Sequence, residues 1–348
     1  MDTISTQPIV SILVPVYGVE RYVEQCVRSL MEQSYEACRY IFVDDCSPDR
    51  SVDIIRSTVA EYPHREGEVR IVSHDQNRGV GATRNTLLEC AEGEYIVWVD
   101  SDDWVDERFV ESMVTRCIVS TAEVLKCGRV EVYGDGDERV NLLGWLSTPR
   151  ATLKGVLGQS HLIANNIHGV MVSLEMIHRH GICFAPRVDM GEDYTFVSQI
   201  LYHAKSLTNV YKPLYYYRAQ REGSYMDSIT KRHIDSYVRA NVWVTQYIMS
   251  QREGASFKGD LGVGKVNIKK WIGRRGVCPS SYNEEIFGGD KEEWLRGFML
   301  RIYNRIVDIN NISLTKIFAA IITMPLIVAV EKAKMGLKRD IKRENMWG

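Results

Sequence analysis

The chain has 348 residues, of which 45% are hydrophobic and 25% are charged, and its formal net charge is −2 at pH 7. This length suffices for one large domain or two smaller ones, each with its own core. The nearly balanced charge gives no support for a general nucleic-acid binder, which needs an excess of basic residues. The eight cysteines form no CxxC pair, so the sequence predicts neither a zinc site nor a disulfide framework and suits a reducing compartment.

The first third of the chain alternates between strand and helix patterns. Four short apolar runs predict buried strands at 9–16, 40–43, 69–72 and 95–99. The stretches between them carry the i, i+3, i+4 spacing of amphipathic helices. This alternation is typical of an α/β protein in which helices cover a mainly parallel sheet. Farther on, the sequence predicts a helix opening at 192–193, a Tyr-rich strand at 214–217, and mostly helices from about 230 with a Gly-rich break at 254–264.

Polar side chains follow each of the four predicted strands. In chain order they are Tyr17, then Asp44 and Asp45, then Asp75 and Asn77, and finally Asp100, Asp102 and Asp103. Ligands of open parallel sheets bind outside the carboxyl ends of the strands. The sequence therefore predicts a functional site at this edge of the sheet.

The last of these groups, "VWVDSDDWV", places three carboxylates within four positions. Like charges at this spacing repel one another, so a metal ion, a basic side chain or water is expected among them. An EF-hand loop starting at Asp100 would need Gly where Val105 stands, and the "PVYGVE" after the first strand lacks the GxGxxG of a dinucleotide site. The P-loop-like stretch 259–266 ends in Val266 instead of Ser or Thr, and no strand leads into it.

An Asp-x-Asp pair at the end of a parallel strand remains. Oxygen ligands of this kind suit Mg²⁺ or Mn²⁺, which commonly bind one or two carboxylates together with substrate phosphates. A nucleotide diphosphate is then the expected ligand. Asp44 and Asp45 are placed to accept hydrogen bonds from a base or ribose, and Arg84 to offset phosphate charge.

Several stretches together resemble the successive motifs of the family 2 glycosyltransferases, which have the GT-A fold. They are "VSILVPVYGVERYVEQCVRSL", "FVDDCS", "NRGVGATRN", "GEYIVWVDSDDWVD", "GEDYTF", and "YYYR" followed by "GSY". They occur in the family's order and cover roughly residues 8–225. Two positions depart from the family pattern, since Gly18 stands where Asn is usual and Cys46 where Gly is usual. The second departure predicts an altered loop after Asp45, because Gly adopts positive φ more easily than Cys.

The resemblance implies a metal-dependent, inverting transfer of a hexosyl or N-acetylhexosaminyl group from a nucleotide sugar, usually a UDP-sugar. The expected acceptor is a glycan or lipid-linked glycan of surface polysaccharide biosynthesis, and the expected cofactor is Mn²⁺ or Mg²⁺. Asp100 and Asp102 are the predicted metal ligands, and Asp193 is the predicted catalytic base, although an acid at a helix start also fits a capping role. The predicted donor-binding residues are Pro15, Val16, Tyr17, Asp44, Asp45, Asn77, Arg84, Asp100 and Ser101.

Other acidic and histidine residues receive weaker roles. Asp103 and Asp106 are expected to face solvent or to cap a helix, and His168 receives no catalytic role. Two other functions remain open: a sugar nucleotidyltransferase, whose usual Gly-rich loop after the first strand is missing here, and a non-catalytic subunit that binds a glycan or a partner.

The predicted organisation is a nucleotide-sugar-binding half at 1–115, an acceptor-binding half at 116–230 and a helical region at 231–348. The last region holds an apolar run at 317–330, followed at 331–344 by six basic and three acidic residues. This pattern fits either a helix lying on an anionic membrane or a core or interface helix with a solvated tail. No Lys or Arg precedes Arg21, so no signal peptide is expected, and the predicted location is the cytoplasm, with peripheral membrane contact left open.

Overall fold

The computed structural model describes residues 7–275 apart from 135, 143, 161–162, 164 and 220–228, together with Val277, Tyr282 and Ile286. Contacts divide the chain after Lys269. The sheet and the candidate site lie wholly in the first unit, which includes the predicted boundaries at 115 and 230. The apolar and basic segments at 317–344 lie outside the described residues. No helix in the described part is both long and apolar enough to span a bilayer.

Strands and helices alternate through the first unit. The strands are β1 (Val10–Val16), β2 (Cys38–Asp44), β3 (Val69–Ser73), β4 (Tyr95–Trp98), β5 (Trp104–Val105), β6 (Val124–Val132), β7 (Glu138–Asn141), β8 (Val170–Ser173) and β9 (Leu207–Arg218). The helices are α1 (Val23–Met31), α2 (Ser51–Val59), α3 (Val80–Cys90), α4 (Phe109–Ser120), α5 (Pro149–Leu157), α6 (Leu174–His180), α7 (Glu192–His203), α8 (Lys231–Ser250) and α9 (Lys258–Gly273). Short 3-10 turns lie at Glu66–Glu68 and Gly254–Phe257.

The strands of the described chain form one mixed sheet in the order β3-β2-β1-β4-β8-β6-β9-β5, with β7 added on β6. The β3, β2, β1 and β4 strands are parallel, as the alternating pattern predicts. Beyond β4 the direction changes, because β8 is antiparallel to both β4 and β6, whereas β9 runs parallel to β6. The α/β architecture is thus confirmed, with a parallel half that carries the first motifs and a mixed half that completes it.

Both faces of the sheet are covered by apolar layers. Along β1, Ile12 and Val14 belong to the layer that contains α1 and α4 residues, while Leu13 belongs to the opposite layer with α7 residues. Successive side chains of a strand point to opposite faces, so a strand buried on both sides must be apolar throughout. This explains why β1 reads as an unbroken apolar run rather than as an alternating one.

The expected Gly-rich break at 254–264 is wrong for most of its length. The break is confined to the Gly254–Phe257 turn, and α9 then runs through Gly259, Gly262 and Gly264. A Cβ at Gly264 would stand 2.0 Å from the carbonyl oxygen of Leu157. Glycine at this position therefore serves a close approach between α9 and the end of α5 rather than a chain break.

Candidate active site

The polar residues that follow the parallel strands do meet at one edge of the sheet. Val16 of β1 is in register with Asp44 of β2, and Leu13 is in register with Trp98, the last residue of β4. The ends of these strands therefore deliver Tyr17, Asp45 and Asp100 to neighbouring positions. This confirms the topological reasoning, while the roles of the individual residues stay predictions.

Asp45 is occupied by contacts within the protein. Its side chain is buried, and its two carboxylate oxygens accept hydrogen bonds from the amides of Arg78 and Gly79, both at 2.8 Å. Oδ1 also lies 2.7 Å from Nδ1 of His74. Asp45 thus fixes the loop between β3 and α3. Asp44 makes one contact of this kind, accepting from the Ser47 amide at 3.1 Å.

The other predicted donor-binding residues line the same edge with different exposure. Tyr17 is half exposed and Asn77 is exposed, whereas Pro15 is half-buried and Val16 and Ser101 are buried. The loop after Asp45 does not avoid the left-handed region, since Cys46 itself has a φ of 60°. The altered backbone expected from Cys in place of Gly is therefore wrong at this residue, and the chain accepts the local strain instead.

Arg84 is the centre of the site. Its side chain projects from α3, is only 5% exposed, and donates from Nη2 to Oδ1 of Asp100 at 3.0 Å. Nη1 donates to Oδ1 of Asp193 and lies 3.2 Å from Oε1 of Glu192. The guanidinium also lies over the ring of Phe184 at 5.6 Å. One buried cation therefore joins the predicted metal-binding loop to the predicted catalytic base.

Asp100 is held by two partners from different elements. Oδ1 faces Arg84, while Oδ2 lies 3.6 Å from Nδ1 of His168. Burial by itself would raise the pKa of Asp100, but the Arg84 charge and the His168 contact outweigh it and lower the pKa to about 2. Asp100 is therefore an anion throughout the physiological range.

The two neighbouring acids occupy different environments. Asp103 is 1% exposed, and it accepts hydrogen bonds from the hydroxyl of Tyr215 and the amide of Arg218, both at 2.8 Å. Burial and the nearby charges of Asp102 and Asp100 raise the pKa of Asp103. The expectation that Asp103 faces solvent is wrong, because it instead ties the loop to β9. Asp102 is half-buried, and its carbonyl oxygen accepts from Nε of Arg218 at 2.9 Å.

Asp193 lies in the first turn of α7, next to Glu192. Besides Arg84, it accepts a hydrogen bond at Oδ2 from the amide of Ile167 at 3.3 Å. Burial, followed by the charge of Asp193, raises the pKa of Glu192 to about 8 despite the opposing effect of Arg84. A carboxyl group with a raised pKa next to the predicted base is an arrangement often found where acids and bases act.

The donor set at Asp100 and Asp102 suits a hard divalent cation. No cluster of three or more His, Cys, Asp or Glu side chains arranged for a metal occurs among the described residues. A cation at this loop would need oxygen ligands from elsewhere. Mg²⁺ and Mn²⁺ sites that handle nucleotides have this character, because phosphate oxygens and water complete the coordination shell. The residues present therefore fit a metal that binds together with a diphosphate.

Three site residues have no predicted role from the sequence: His168, Glu192 and Tyr215. His168 lies between strands in an irregular segment, and no local pattern separates it from a packed histidine. Glu192 and Arg218 stand inside "GEDYTF" and "YYYR", two of the motifs that carry the resemblance. Their position in these motifs is the sequence feature that could have indicated a place in the site. Tyr215 reads as an ordinary strand residue.

Comparison with known proteins relates part of the chain to one family and identifies the fold. Residues 11–180 match the sequence profile of glycosyl transferase family 2. EpsH of Bacillus subtilis (strain 168), whose name carries the word glycosyltransferase, is 29% identical over 235 residues, which make up 65% of this chain and 64% of EpsH. The chain thus spans slightly less than two thirds of the length of this relative.

Two solved structures share the architecture. TarS 1–349 of Staphylococcus aureus in complex with UDP-GlcNAc has a TM-score of 0.61 at 19% identity, covering 86% of this chain and 81% of that chain. The mannosyltransferase PcManGT from Pyrobaculum calidifontis, in complex with GDP-Man and Mn²⁺, has a TM-score of 0.53 at 16% identity, covering 94% and 87%. At these identities the likeness shows the fold alone, and it confirms the predicted GT-A architecture.

Proposed function

We propose, from the match of residues 11–180 to the profile of glycosyl transferase family 2, that the chain transfers a sugar from a nucleotide sugar to a glycan or lipid-linked acceptor, with inversion at the anomeric carbon. The observation that carries this proposal is the bridge made by Arg84. It joins Asp100, at the end of β4, to Asp193, at the start of α7. A transferase that inverts needs a leaving-group site and a base in one cleft, and this bridge brings the two candidates together.

Asp193 is the proposed general base. Its carboxylate is 22% exposed, so a substrate hydroxyl can reach it, and its two oxygens are oriented by Arg84 and by the Ile167 amide. A single displacement requires one base to remove the acceptor proton and no covalent intermediate on the protein. Contacts from two sides hold the carboxylate of Asp193 in one orientation. Fixed orientation of the reacting groups lowers the barrier of the reaction.

Asp100 and Asp102 would hold Mn²⁺ or Mg²⁺. When bound, the ion supplies positive charge that stabilises the departing diphosphate. The protein's own contribution is to keep Asp100 ionised through Arg84 and His168 and to fix the loop through the contacts of Asp103 with β9.

The donor pocket is proposed to lie in the half formed by residues 1–115, and the acceptor site in the half formed by 116–230. Tyr17 and Asn77 are exposed at the strand ends and can contact a base or ribose, and Asp44 is in register with Val16, the residue before Tyr17. A UDP-sugar is the proposed donor class, supported by the solved complex of the fold relative TarS with UDP-GlcNAc. We propose that the reaction belongs to the synthesis of a surface polysaccharide on the cytoplasmic side of the membrane, and that the basic segment at 331–344 makes a peripheral contact to anionic lipid.

The deciding experiment measures nucleotide release from UDP-, GDP- and dTDP-sugars with Mn²⁺, in wild type, Asp102→Ala and Asp106→Ala. Asp106 is the matched control, since it lies shortly after Asp102 in the chain, beyond β5, and caps the turn before α4 through the Arg108 amide at 2.9 Å. EDTA-sensitive release from one donor, lost only in Asp102→Ala, is the expected result. Calorimetry of the same donors distinguishes a missing acceptor from a missing donor site. Absence of both release and donor binding would contradict the proposed function.

A further inference from the structure

A buried lysine lies behind the candidate site. Lys126 of β6 is 4% exposed. In the part of the chain that the structure describes, it forms no ion pair with a carboxylate. Burying a cation without an anionic partner is costly, and burial lowers the pKa of Lys126 to about 8. A buried ammonium group therefore needs hydrogen-bond acceptors, and the acceptors of Lys126 lie in a segment that contacts the candidate site.

The ammonium group has three acceptors, which match its three hydrogens. Nζ donates to Oδ1 of Asn166 at 2.9 Å, to the carbonyl oxygen of Asn166 at 3.4 Å and to the carbonyl oxygen of His168 at 3.2 Å. Nζ also lies 5.5 Å from the ring centre of Trp145, within the range of a cation–π contact. The hydrogen bonds of the Lys126 ammonium group thus converge on one short irregular segment, residues 166–168.

This segment supplies a contact to each of the two key carboxylates. The amide of Ile167 donates to Oδ2 of Asp193 at 3.3 Å, and Nδ1 of His168 lies 3.6 Å from Oδ2 of Asp100. Arg129 approaches Nε2 of His168 at 3.0 Å. Because an arginine can only donate, a neutral His168 in this contact accepts at Nε2 and carries its proton on Nδ1, the atom that faces Asp100.

We propose that Lys126 is a positioning residue for the transfer reaction: by holding the carbonyl groups on either side of Ile167, it fixes the backbone that orients Asp193 and the imidazole that faces Asp100. This inference rests on the proposed function for its catalytic consequence. Its structural content, the fixing of residues 166–168 by a buried ammonium group, is independent of which reaction occurs.

The test compares Lys126→Met with Lys212→Met. Methionine keeps the length and apolar stem of Lys126 and removes only the donors. Lys212 lies on the adjacent strand β9 and is exposed, so its substitution controls for loss of a lysine. Asn166→Ala is a milder variant, because it removes one of the three acceptors and leaves the lysine in place. The first readout is amide hydrogen exchange over residues 165–170, which needs no substrate.

We expect faster exchange over residues 165–170 in Lys126→Met and a smaller increase in Asn166→Ala, with unchanged exchange in β1 and in Lys212→Met. For the donor that the panel of UDP-, GDP- and dTDP-sugars selects, the kcat of nucleotide release should fall about 10–100-fold in Lys126→Met, which is the loss typical of a misplaced catalytic group. The donor KM should change less than about threefold, because Arg84 still holds Asp100. In an Asp193→Asn background, adding Lys126→Met should reduce the residual rate by less than about twofold, since coupled residues are not additive.

The outcomes separate this inference from the proposed function. A wild type that neither releases nucleotide nor binds any of the donors contradicts the proposed function, while the exchange data still decide whether Lys126 fixes the segment. Folded Lys126→Met with wild-type exchange at 165–170 overturns the inference. An equal fall in rate in the wild-type and Asp193→Asn backgrounds would also overturn it, because Lys126 would then act on general stability rather than through Asp193.

Discussion

Replacement of Arg84 by methionine is the most informative perturbation of this site. The guanidinium is 5% exposed and faces three carboxyl groups, those of Asp100, Glu192 and Asp193. Methionine retains an apolar stem but removes the guanidinium, which lies over the rings of Trp98 and Phe184, and it leaves the three acids without their shared cation. Removing one partner of a buried ion pair costs far more than the pair contributes, because the remaining charge stays desolvated.

The magnitude can be worked from Asp100. Its pKa falls from an ordinary 3.8 to about 2 in the folded protein, which corresponds to about 2 kcal/mol of stability at neutral pH. A carboxyl group with a lowered pKa stabilises the fold above its ordinary pKa, and this contribution disappears as the pH falls through about 2. Asp193 also loses a partner in Arg84→Met, so the expected loss is about 3 kcal/mol at pH 7, the lower end for a broken buried pair.

The assay is urea unfolding of wild type, Arg84→Met and Arg78→Met between pH 5 and 8. Arg78 belongs to the loop before α3 and is exposed, so its variant should change the free energy of unfolding by less than about 0.5 kcal/mol. In Arg84→Met the desolvated carboxyl groups take up protons more readily, and the deficit should shrink as the pH falls from 7 to 5. A deficit below about 1 kcal/mol at pH 7, or one that does not vary with pH, would refute the role of Arg84 as the shared counter-charge.

Four further predictions concern single residues. Asp102→Asn should abolish the Mn²⁺-dependent release of nucleotide and leave the melting temperature within a few degrees of wild type. Retained EDTA-sensitive release would exclude Asp102 as a metal ligand. Asp193→Asn should keep the donor Kd, measured by calorimetry, and lower transfer at least about 100-fold, whereas near-normal transfer would reduce Asp193 to a cap. Because the pKa of Glu192 is raised to about 8, its folded form binds the proton more tightly, so wild-type stability should fall between pH 4.5 and 8 and Glu192→Gln should gain on the order of 3 kcal/mol relative to it; parallel pH profiles would contradict this. With φ at 60°, Cys46→Gly should be neutral or stabilising and Cys46→Val should cost about 1–2 kcal/mol in urea unfolding, and equal stability of the two variants would argue against strain there.

The sequence predicts the parallel half of the fold well. The runs that became β1, β2, β3 and β4 are short, apolar and separated by amphipathic helices, so their local pattern and their tertiary environment agree. The mixed half could not be predicted in the same way. β8 has only four residues, and its antiparallel pairing with β4 and β6 depends on contacts between distant parts of the chain. Signals for the helices were present but short, such as Thr148 before Pro149 at the start of α5.

The site shows the same division between local and distant information. Motifs indicated Asp100, Asp102 and Asp193 because each stands in a recognisable stretch of sequence. The links between them were not accessible: the pairing of Arg84 with Asp193 joins residues 109 positions apart. Lys126 reads as one residue of an apolar strand and His168 as one of eight histidines. A contact made by a backbone amide, such as that of Ile167, has no sequence signal at all.

The structure also answers why three acids can stand within four positions after β4. The three carboxyl groups do not share one environment. Asp100 remains charged beside Arg84 and His168, and its pKa is lowered. Asp103 turns inward to Tyr215 and Arg218, where burial raises its pKa and so favours its neutral form. The repulsion expected from the sequence is therefore relieved by sending the acids into different environments, and a cation bound at Asp100 and Asp102 would meet a loop whose third carboxyl group is already committed to holding β9.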